Sequence, residues 1–148
     1  MQLMTLAQNK QKMYYSLFKG IEPEYELDAN GQKIVDYVDE DGIEYYRETG
    51  NKIPTYFEPV LFYANISMSG GEVNTQEYGI DVSGYDALLV LDKDEIPIDE
   101  TSLVWFESEP QYKDAEKTIV DGNKADYRVL AIKPSLNQLK VLLGRITK

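Results

Sequence analysis

The chain of 148 residues contains neither cysteine nor histidine. Without cysteine it forms no disulfide and no thiolate metal site, and this composition fits a reducing compartment. Without histidine it lacks the commonest general base and the commonest transition-metal ligand, and it cannot assemble a Ser-His-Asp triad. These two absences exclude much of the usual enzymatic chemistry.

Long apolar runs are also missing. No segment approaches the ~20 apolar residues of a membrane-spanning helix. Residues 1–18 lack the continuous apolar region of a signal peptide. The apolar fraction of 43% is nevertheless that of a globular chain. We therefore expect a single globular domain with its own core.

Short runs rich in β-branched and aromatic residues alternate with clusters of turn residues, a pattern typical of short strands. The predicted strands cover residues 12–18, 32–38, 43–47, 56–67, 86–92, 103–106, 118–121, 126–132 and 138–146. The last would also suit a short amphipathic helix, but its β-branched residues and Gly144 favour a strand. The fold class is therefore all-β: a small antiparallel β-barrel, or a sandwich, with long loops and at most short helical turns.

We place this domain at residues 12–148, after a flexible segment of residues 1–11. Asn30-Gly31, with Asp28 before it, and residues 39–42 have the composition of tight turns. The remainder of residues 20–30 is predicted as a loop or a weak extended segment, residues 50–54 as a break and residues 107–117 as a loop. Residues 86–92 are almost wholly apolar, which predicts a strand buried on both faces.

The net charge of −11 is unevenly distributed along the chain. Residues 1–20 contain three lysines and no acid, and residues 123–148 contain six basic residues against Asp126 alone. The interpretation we favour pairs basic terminal strands with acidic strands in one sheet. The alternative is a subunit with oppositely charged faces, suited to stacking in an assembly or to lining a channel. Tight nucleic-acid binding by the whole chain is not expected, because phosphate contacts need a basic face.

The carboxylates are numerous but show no catalytic pattern. With 26 acidic residues, neighbouring pairs such as those in residues 39–41 and 99–100 arise by chance in solvated loops. Residues 92–95 lack the glycine and the distal glutamate of a calcium loop. We therefore predict that the chain is not an enzyme and holds no metal or cofactor.

Aromatic residues are the most distinctive part of the composition, with twelve tyrosines. Tyrosine suits half-buried strand positions and subunit interfaces, because it offers a large area at low side-chain entropy. The alternative is a set of stacking platforms for sugars or single-stranded nucleic acid. Trp105 lies in an apolar run and is predicted to be a core residue.

A series of short motifs follows one order through most of residues 12–146. It starts with a tyrosine-rich strand, a D-x-x-G turn and a P-V strand, and it ends with P-I-D-E before a tryptophan, then D-Y-x-V and S-L-N. The counterparts are Tyr14-Tyr15, Asp28 to Gly31, Pro59-Val60, Asn65-Ile66-Ser67 with Gly71-Glu72, Tyr78-Gly79 with Tyr85-Asp86, Pro97 to Glu100 with Trp105, Asp126 to Val129, and Ser135-Leu136-Asn137. In this order the chain resembles the small head-closure, or head–tail connector, proteins of siphophages that infect low-GC Gram-positive bacteria. Residues 32–55 and 107–125 are longer than the family pattern.

The resemblance implies a role in assembly rather than a reaction. Such proteins form a ring below the portal and its adaptor, close the DNA-filled head and present the surface to which a preassembled tail attaches. The implied fold is a small β-barrel with long loops. The implied partners are further copies of the chain in a ring matching the portal's symmetry, the adaptor and portal above, the tail terminator and tail below, and genomic DNA that passes without sequence-specific binding. The implied location is the virion neck, assembled in the host bacterial cytoplasm, with no membrane partner.

The resemblance also implies candidate site residues. A loop in the first third of such chains projects into the channel and helps to retain DNA. The channel-facing candidates here are Asp41, Gly42, Glu44, Tyr45, Tyr46 and Arg47. The candidates for ring or adaptor contacts are Tyr78, Gly79, Tyr85, Pro97, Ile98 and Asp99. An acidic channel lining would let DNA pass without adhering to it.

Other functions remain open at the level of sequence. A different neck or tail component, such as a tail terminator or completion protein, would assemble on tail tubes without heads. A monomeric β-sandwich binding module would use surface tyrosines for carbohydrate or protein. A hydrolase with a pair of acids would need two carboxylates converging in a cleft.

Overall fold

The computed structural model describes residues 10–68 and 84–146. In these residues the chain forms ten strands and one 3-10 turn, Gly122–Lys124. The strands are β1 (Gln11–Ser16), β2 (Phe18–Tyr25), β3 (Val35–Val38), β4 (Glu44–Tyr46), β5 (Glu48–Tyr56), β6 (Val60–Met68), β7 (Ala87–Asp92), β8 (Leu103–Trp105), β9 (Tyr127–Pro134) and β10 (Gln138–Arg145). No helix in the described part of the chain is long and apolar enough to cross a membrane.

Six of the strands close into an antiparallel barrel in the order β1-β6-β7-β10-β9-β8. The barrel closes where β8 returns to β1, with Tyr14 opposite Trp105 and Ser16 opposite Leu103. Closure pairs the backbone groups that an open sheet would leave exposed at its edges. The predicted antiparallel β-barrel is therefore confirmed, as is the near absence of helix from the described residues.

The barrel interior is filled by side chains that alternate along the strands. Met13, Ala64, Leu89, Val104 and Val141 are fully buried there. On the outer side of β7 and β10, Leu88 and Leu142 form a second buried cluster with Tyr85. The prediction that residues 86–92 form a strand buried on both faces is confirmed by these two layers.

A third apolar cluster lies outside the barrel against β8. Trp105 is 0% exposed and packs with Leu103, Val120 and Ala125. Residues 107–125, the covering loop, supply Val120 and Ala125 and so close over the tryptophan. Trp105 is therefore a core residue, as predicted, but its core is the space between the barrel and this loop.

Residues 18–56 form an arm that leaves the barrel between β1 and β6. Strand β2 pairs with β5, and beyond them β3 pairs with β4, so two hairpins are nested in one ribbon. Residues 20–25 belong to β2, which agrees with the extended alternative for residues 20–30, whereas the predicted break at residues 50–54 was wrong because this segment belongs to β5. Pro23 lies opposite Lys52, and Pro54 lies opposite Ile21. A two-stranded ribbon has only edge strands, where proline is tolerated.

Two turns of the same chemistry shape this arm. In each, an aspartate carboxylate accepts backbone hydrogen bonds: Asp28 from Asn30 and Gln32, and Asp39 from Asp41 and Ile43. Each turn ends in a glycine with positive φ, Gly31 at 78° and Gly42 at 82°. Both predicted turns are confirmed.

Two further predictions about strands have mixed outcomes. The predicted strand at residues 138–146 is confirmed as β10. The strand predicted at residues 118–121 is reduced to a single bridge between Tyr112 and Val120. Its neighbours in the covering loop instead turn around the buried Asp114 carboxylate, which accepts hydrogen bonds from the Thr118 and Ile119 amides.

The basic C-terminal strands do not pair with acidic strands. Lys133 of β9 lies opposite Lys140 of β10, and the other registered neighbour of Lys140 is Val90 of β7. Arg128 lies between Leu103 and Gly144. The favoured interpretation of the charge asymmetry was therefore wrong, because β9 and β10 pair mainly with each other and with apolar positions.

Candidate functional site

The channel-facing candidates all fall at the far end of the arm. Asp41 and Gly42 lie in the turn of the β3–β4 hairpin, Glu44, Tyr45 and Tyr46 form β4, and Arg47 follows it. Residues 35–46, the tip hairpin, contain five acidic residues and no basic residue. The structure thus brings a set of residues chosen from the sequence onto one small acidic element.

The tip hairpin exposes an unusual amount of apolar surface. All four residues of β3 are exposed. The exposed large side chains are Val35, Tyr37, Val38, Ile43 and Tyr45. The rings of Tyr37 and Tyr45 stack with centroids 4.6 Å apart. An isolated two-stranded hairpin is only marginally stable in water, and clustered exposed apolar side chains mark interaction sites.

Hydrogen bonds inside the hairpin hold its turn in one shape. Asp39 accepts from the Ile43 amide at 3.0 Å and from the Tyr45 hydroxyl at 3.0 Å. The bond from the Ile43 amide is the largest cause of the lowered pKa of Asp39, because it favours the ionised carboxylate. Asp39 therefore remains ionised at neutral pH.

Tyr46 and Arg47 connect the tip hairpin to the remainder of the arm. Lys33 lies over the Tyr46 ring at 5.2 Å from its centroid, and Arg47 pairs with Glu26 and Asp36 at 3.7 and 3.6 Å. The hydrogen bond from its hydroxyl to Glu44 is the main cause of the raised pKa of Tyr46. Tyr46 and Arg47 therefore connect the tip hairpin to the rest of the arm. The other four channel-facing candidates lie further out, in the turn and in β4.

The base of the arm is anchored on the barrel by Tyr56. Its ring packs edge-on against Phe18, with centroids 5.8 Å apart, and joins the cluster around Trp105. A Cβ atom on Gly122 would lie 2.9 Å from this ring and 3.0 Å from Leu103. The missing side chain at Gly122 therefore lets the arm seat against β8.

The covering loop holds the arm from its side. The Ala115 amide donates to the Gly31 carbonyl at 2.8 Å. The Tyr112 hydroxyl donates to Glu58 at 2.6 Å, and this bond is the main cause that raises the pKa of Tyr112 to about 12. The covering loop therefore contacts the chain just before and just after residues 32–55.

Two grooves flank the arm. One, of about 290 Å³, lies between β2 and the covering loop and is lined by Tyr25, Ile53, Thr55 and Lys113. The other, of about 400 Å³, is lined by Ile53, Tyr56, Leu103, Arg128 and Val129. The second groove lies at the base of the arm, beside β9.

The candidates for ring or adaptor contacts are scattered. Tyr78 and Gly79 lie outside the described residues. Tyr85 and Ile98 are 3% and 6% exposed, so their side chains pack within the subunit. Pro97 and Asp99 are exposed in the loop between β7 and β8. Their contact roles stay predictions.

Asp99 organises the loop in which it lies. Burial alone would raise the pKa of Asp99, but hydrogen bonds from Thr101 and Ser102 outweigh it and lower the pKa overall. The Asp99 carboxylate therefore stabilises the turn that precedes β8.

A polar cluster that the sequence did not indicate lies at the barrel end away from the arm. Arg145 donates to Glu107 and to the Tyr127 hydroxyl oxygen, both at 2.8 Å, and Tyr127 donates to Glu107 at 3.0 Å. Burial, followed by the bond to Glu107, raises the pKa of Tyr127 to about 12. Every charge here has a partner, which indicates a structural cluster. In the described part of the chain, no group of three or more acidic residues is placed to hold a metal ion.

Comparisons with protein-family models, with curated proteins and with solved structures give no match for this chain. Its function is therefore inferred from its own residues.

Proposed function

We propose that the chain is a structural subunit of a tailed-bacteriophage neck. In this role it forms a ring below the portal and adaptor, closes the DNA-filled head and offers the tail its attachment surface. The observation that carries the proposal is the arm. It is a long projection from the first third of the chain, and it ends in an acidic, apolar hairpin that is exposed among the residues that the structure describes.

The charge of the arm suits a channel that DNA crosses. The tip hairpin carries five acids and no base, and its Asp39 carboxylate is held ionised by its hydrogen bonds. Like charges repel, so such a lining lets DNA pass without adhering to it. A rigid turn at the end of a ribbon also gives a ring of subunits a means to narrow the channel behind the DNA. No catalysis and no cofactor enter this role.

The proposal is tested by deleting the gene from the phage genome that encodes the chain and imaging the particles. We expect filled heads that lose their DNA, accompanied by separate tails, and normal virions after expression of the wild-type chain in trans. Normal virions without the chain would contradict the proposal. Headless tails of uncontrolled length would instead identify a tail terminator.

The stacked pair of Tyr37 and Tyr45 supports a second candidate, a monomeric module that binds carbohydrate. An exposed pair of aromatic rings 4.6 Å apart offers a flat apolar face to a sugar ring. This candidate predicts a monomer at every concentration and specific signals on a glycan array. The neck subunit predicts rings and an array without signals.

A further inference from the structure

Within residues 10–68 and 84–146, the tip hairpin packs against none of the three apolar clusters. It presents five exposed large apolar side chains together with the acidic turn of residues 39–42. None of the residues in the three apolar clusters of the described chain comes from residues 26–47. A hairpin of this composition would bind best to a partner surface that is apolar at its centre and basic at its rim.

One surface of the same chain has that composition. On β9, Val129 and Ile132 face the barrel core, so Arg128 and Lys133 lie on the outer face, and both are exposed. The groove of about 400 Å³ beside Arg128 combines apolar residues, including Ile53, Leu103 and Ile146, with polar residues such as Thr101 and Asn123. We call Arg128, Lys133 and this groove the β9 surface.

The charge of this region supports an acidic partner. Residues 127–146 contain four basic residues and no acid. Arg145 is directed at Glu107 of its own subunit. Lys133 of β9 and Lys140 of β10 lie directly opposite each other. Asp92 lies opposite Gln138, on the β7 side of β10. Glu100 lines the same groove as Arg128.

The hairpin and the β9 surface of one subunit are held apart. Strand β2 has 8 residues, so the ribbon alone spans about 26 Å between its base and the start of the tip segment. The Gly31–Ala115 hydrogen bond and the Tyr56 packing fix the ribbon along the covering loop. The groove lies at the base of the arm, so the tip of the same arm does not reach it.

We propose that the tip hairpin of one copy docks on the β9 surface of the next copy. Its apolar side chains enter the groove, and Glu40 and Asp41 meet Arg128 and Lys133. The inference rests on the proposed ring. Two different surfaces of one chain then meet head to tail, which is the kind of contact that closes a ring. A hairpin has two faces, so one face contacts the neighbour while the other still borders the channel.

Cross-linking tests the contact directly, because the chain has no cysteine of its own. Full-length chains carrying Glu40→Cys and Asn123→Cys are mixed, assembled and oxidised. Asn123 lines the groove. We expect a disulfide between the two different chains. The matched control replaces Asn123→Cys by Ser67→Cys, an exposed position on β6 near the opposite end of the barrel, and should give no cross-link.

Charge reversal gives a second, independent readout. Glu40→Lys with Asp41→Lys, or Arg128→Glu with Lys133→Glu, should each weaken ring formation in sedimentation by about tenfold or more. Combining all four changes in one chain should restore it. Asp92→Lys with Glu95→Lys makes the same change of charge outside the contact and should leave ring formation intact.

The outcomes separate the contact from the proposed function. Rings of the two cysteine variants that give no disulfide would overturn the contact and leave the neck role standing. Normal ring formation by both charge-reversal variants would do the same. Normal rings of the Arg128→Glu, Lys133→Glu variant that lose affinity for double-stranded DNA would also overturn it, because the β9 surface would then serve DNA. A wild-type chain that stays monomeric at every concentration and in purified necks would contradict the ring itself, and the contact with it.

Discussion

Glycine and aspartate at the tip of the arm fix a turn that no contact with the barrel supports. Gly42 has φ of 82°, and a Cβ atom there would meet open space. Any cost of a side chain at Gly42 is therefore a backbone cost, since the left-handed region is unfavourable for other residues by roughly 1–2 kcal/mol. The turn is thus set by local chemistry alone.

Gly42→Ala should loosen the tip hairpin without affecting the barrel. We expect hydrogen exchange at the Ile43 amide, which bonds the Asp39 carboxylate, to become about five to thirtyfold faster, matching roughly 1–2 kcal/mol. The control is Gly20→Ala, where the φ angle is ordinary and a Cβ atom also meets nothing. Equal exchange rates in the two variants would contradict this account.

Asp114 should make the stability of the covering loop depend on pH. Burial would raise the pKa of this carboxyl, but hydrogen bonds from Thr118 and Ile119 outweigh burial and lower the pKa overall. A lowered folded pKa means that the contribution to stability is complete above the unfolded pKa of about 3.9. It is lost as pH falls below that value and through the folded pKa.

Asp114→Asn should therefore remove a stabilisation that exists at pH 7 and is absent in strong acid. We expect a loss of about 1–3 kcal/mol at pH 7, since the Thr118 and Ile119 amides lose a charged acceptor. The difference from wild type should shrink as pH falls below about 4. Denaturation at pH 7 and pH 3 measures it, with the exposed Asp92→Asn as control. A difference that grows in acid would reverse the assigned sign.

At the scale of elements, the arm is a nested ribbon whose base depends on one aromatic ring. Tyr56 joins the Trp105 cluster, and Gly122 leaves the space into which its ring fits. The arm strands otherwise pack chiefly against each other. The orientation of the arm should therefore be sensitive to the loss of this ring, although the Gly31–Ala115 hydrogen bond also holds the arm.

Tyr56→Ala should free the base of the arm and destabilise the subunit. We expect a loss of about 2–3 kcal/mol, below the 3–5 typical of a fully buried aromatic ring because Tyr56 is only half buried. Limited proteolysis should then cut within residues 18–56 first. Tyr63→Ala, at a tyrosine that is 53% exposed on β6, is the matched control and should have little effect. Equal losses in both variants would show that Tyr56 is no anchor.

The elements also show what sequence could and could not predict. The D-x-x-G turns and the apolar β7 follow from local residue chemistry, and both were predicted. Strand β5 was missed and β2 was predicted only as a loop or a weak extended segment, because the paired residues are about thirty positions apart and include Pro23, Gly50 and Pro54. The channel-facing candidates were chosen from the family resemblance. They cluster because all of them lie in or next to the β3–β4 hairpin at the end of the arm. The β9 surface was missed because composition showed a basic C-terminus but could not fix the register that sets Arg128 and Lys133 outward.

At the scale of the whole molecule, the barrel and the tip hairpin are separable. The core clusters of the described chain contain no residue from 26–47, and Tyr25 lies directly opposite Glu48. The ribbon can therefore be shortened at that pair without removing anything from the core.

Replacing residues 26–47 by an Asn-Gly turn should leave a folded barrel. We expect the thermal midpoint to stay within a few degrees, about the effect of 1 kcal/mol or less, whereas ring formation and DNA retention are lost. Calorimetry measures the first, and sedimentation with complementation of the null phage measures the second. A shortened chain that still completes infectious particles would show that the hairpin is dispensable.

Closure of the barrel between β1 and β8 sets an order of events during synthesis. Ser16 pairs with Leu103, so β1 cannot pair with β8 until nearly ninety further residues have been synthesised. The hairpins of the arm need only nearby residues and form on the microsecond scale. Arg128 and Lys133 leave the ribosome late, and their surface exists only once β9 is paired. A nascent chain therefore carries the tip hairpin long before it has formed the β9 surface. If these two surfaces dock as proposed, an incomplete subunit offers no site to the tip hairpin of a finished copy.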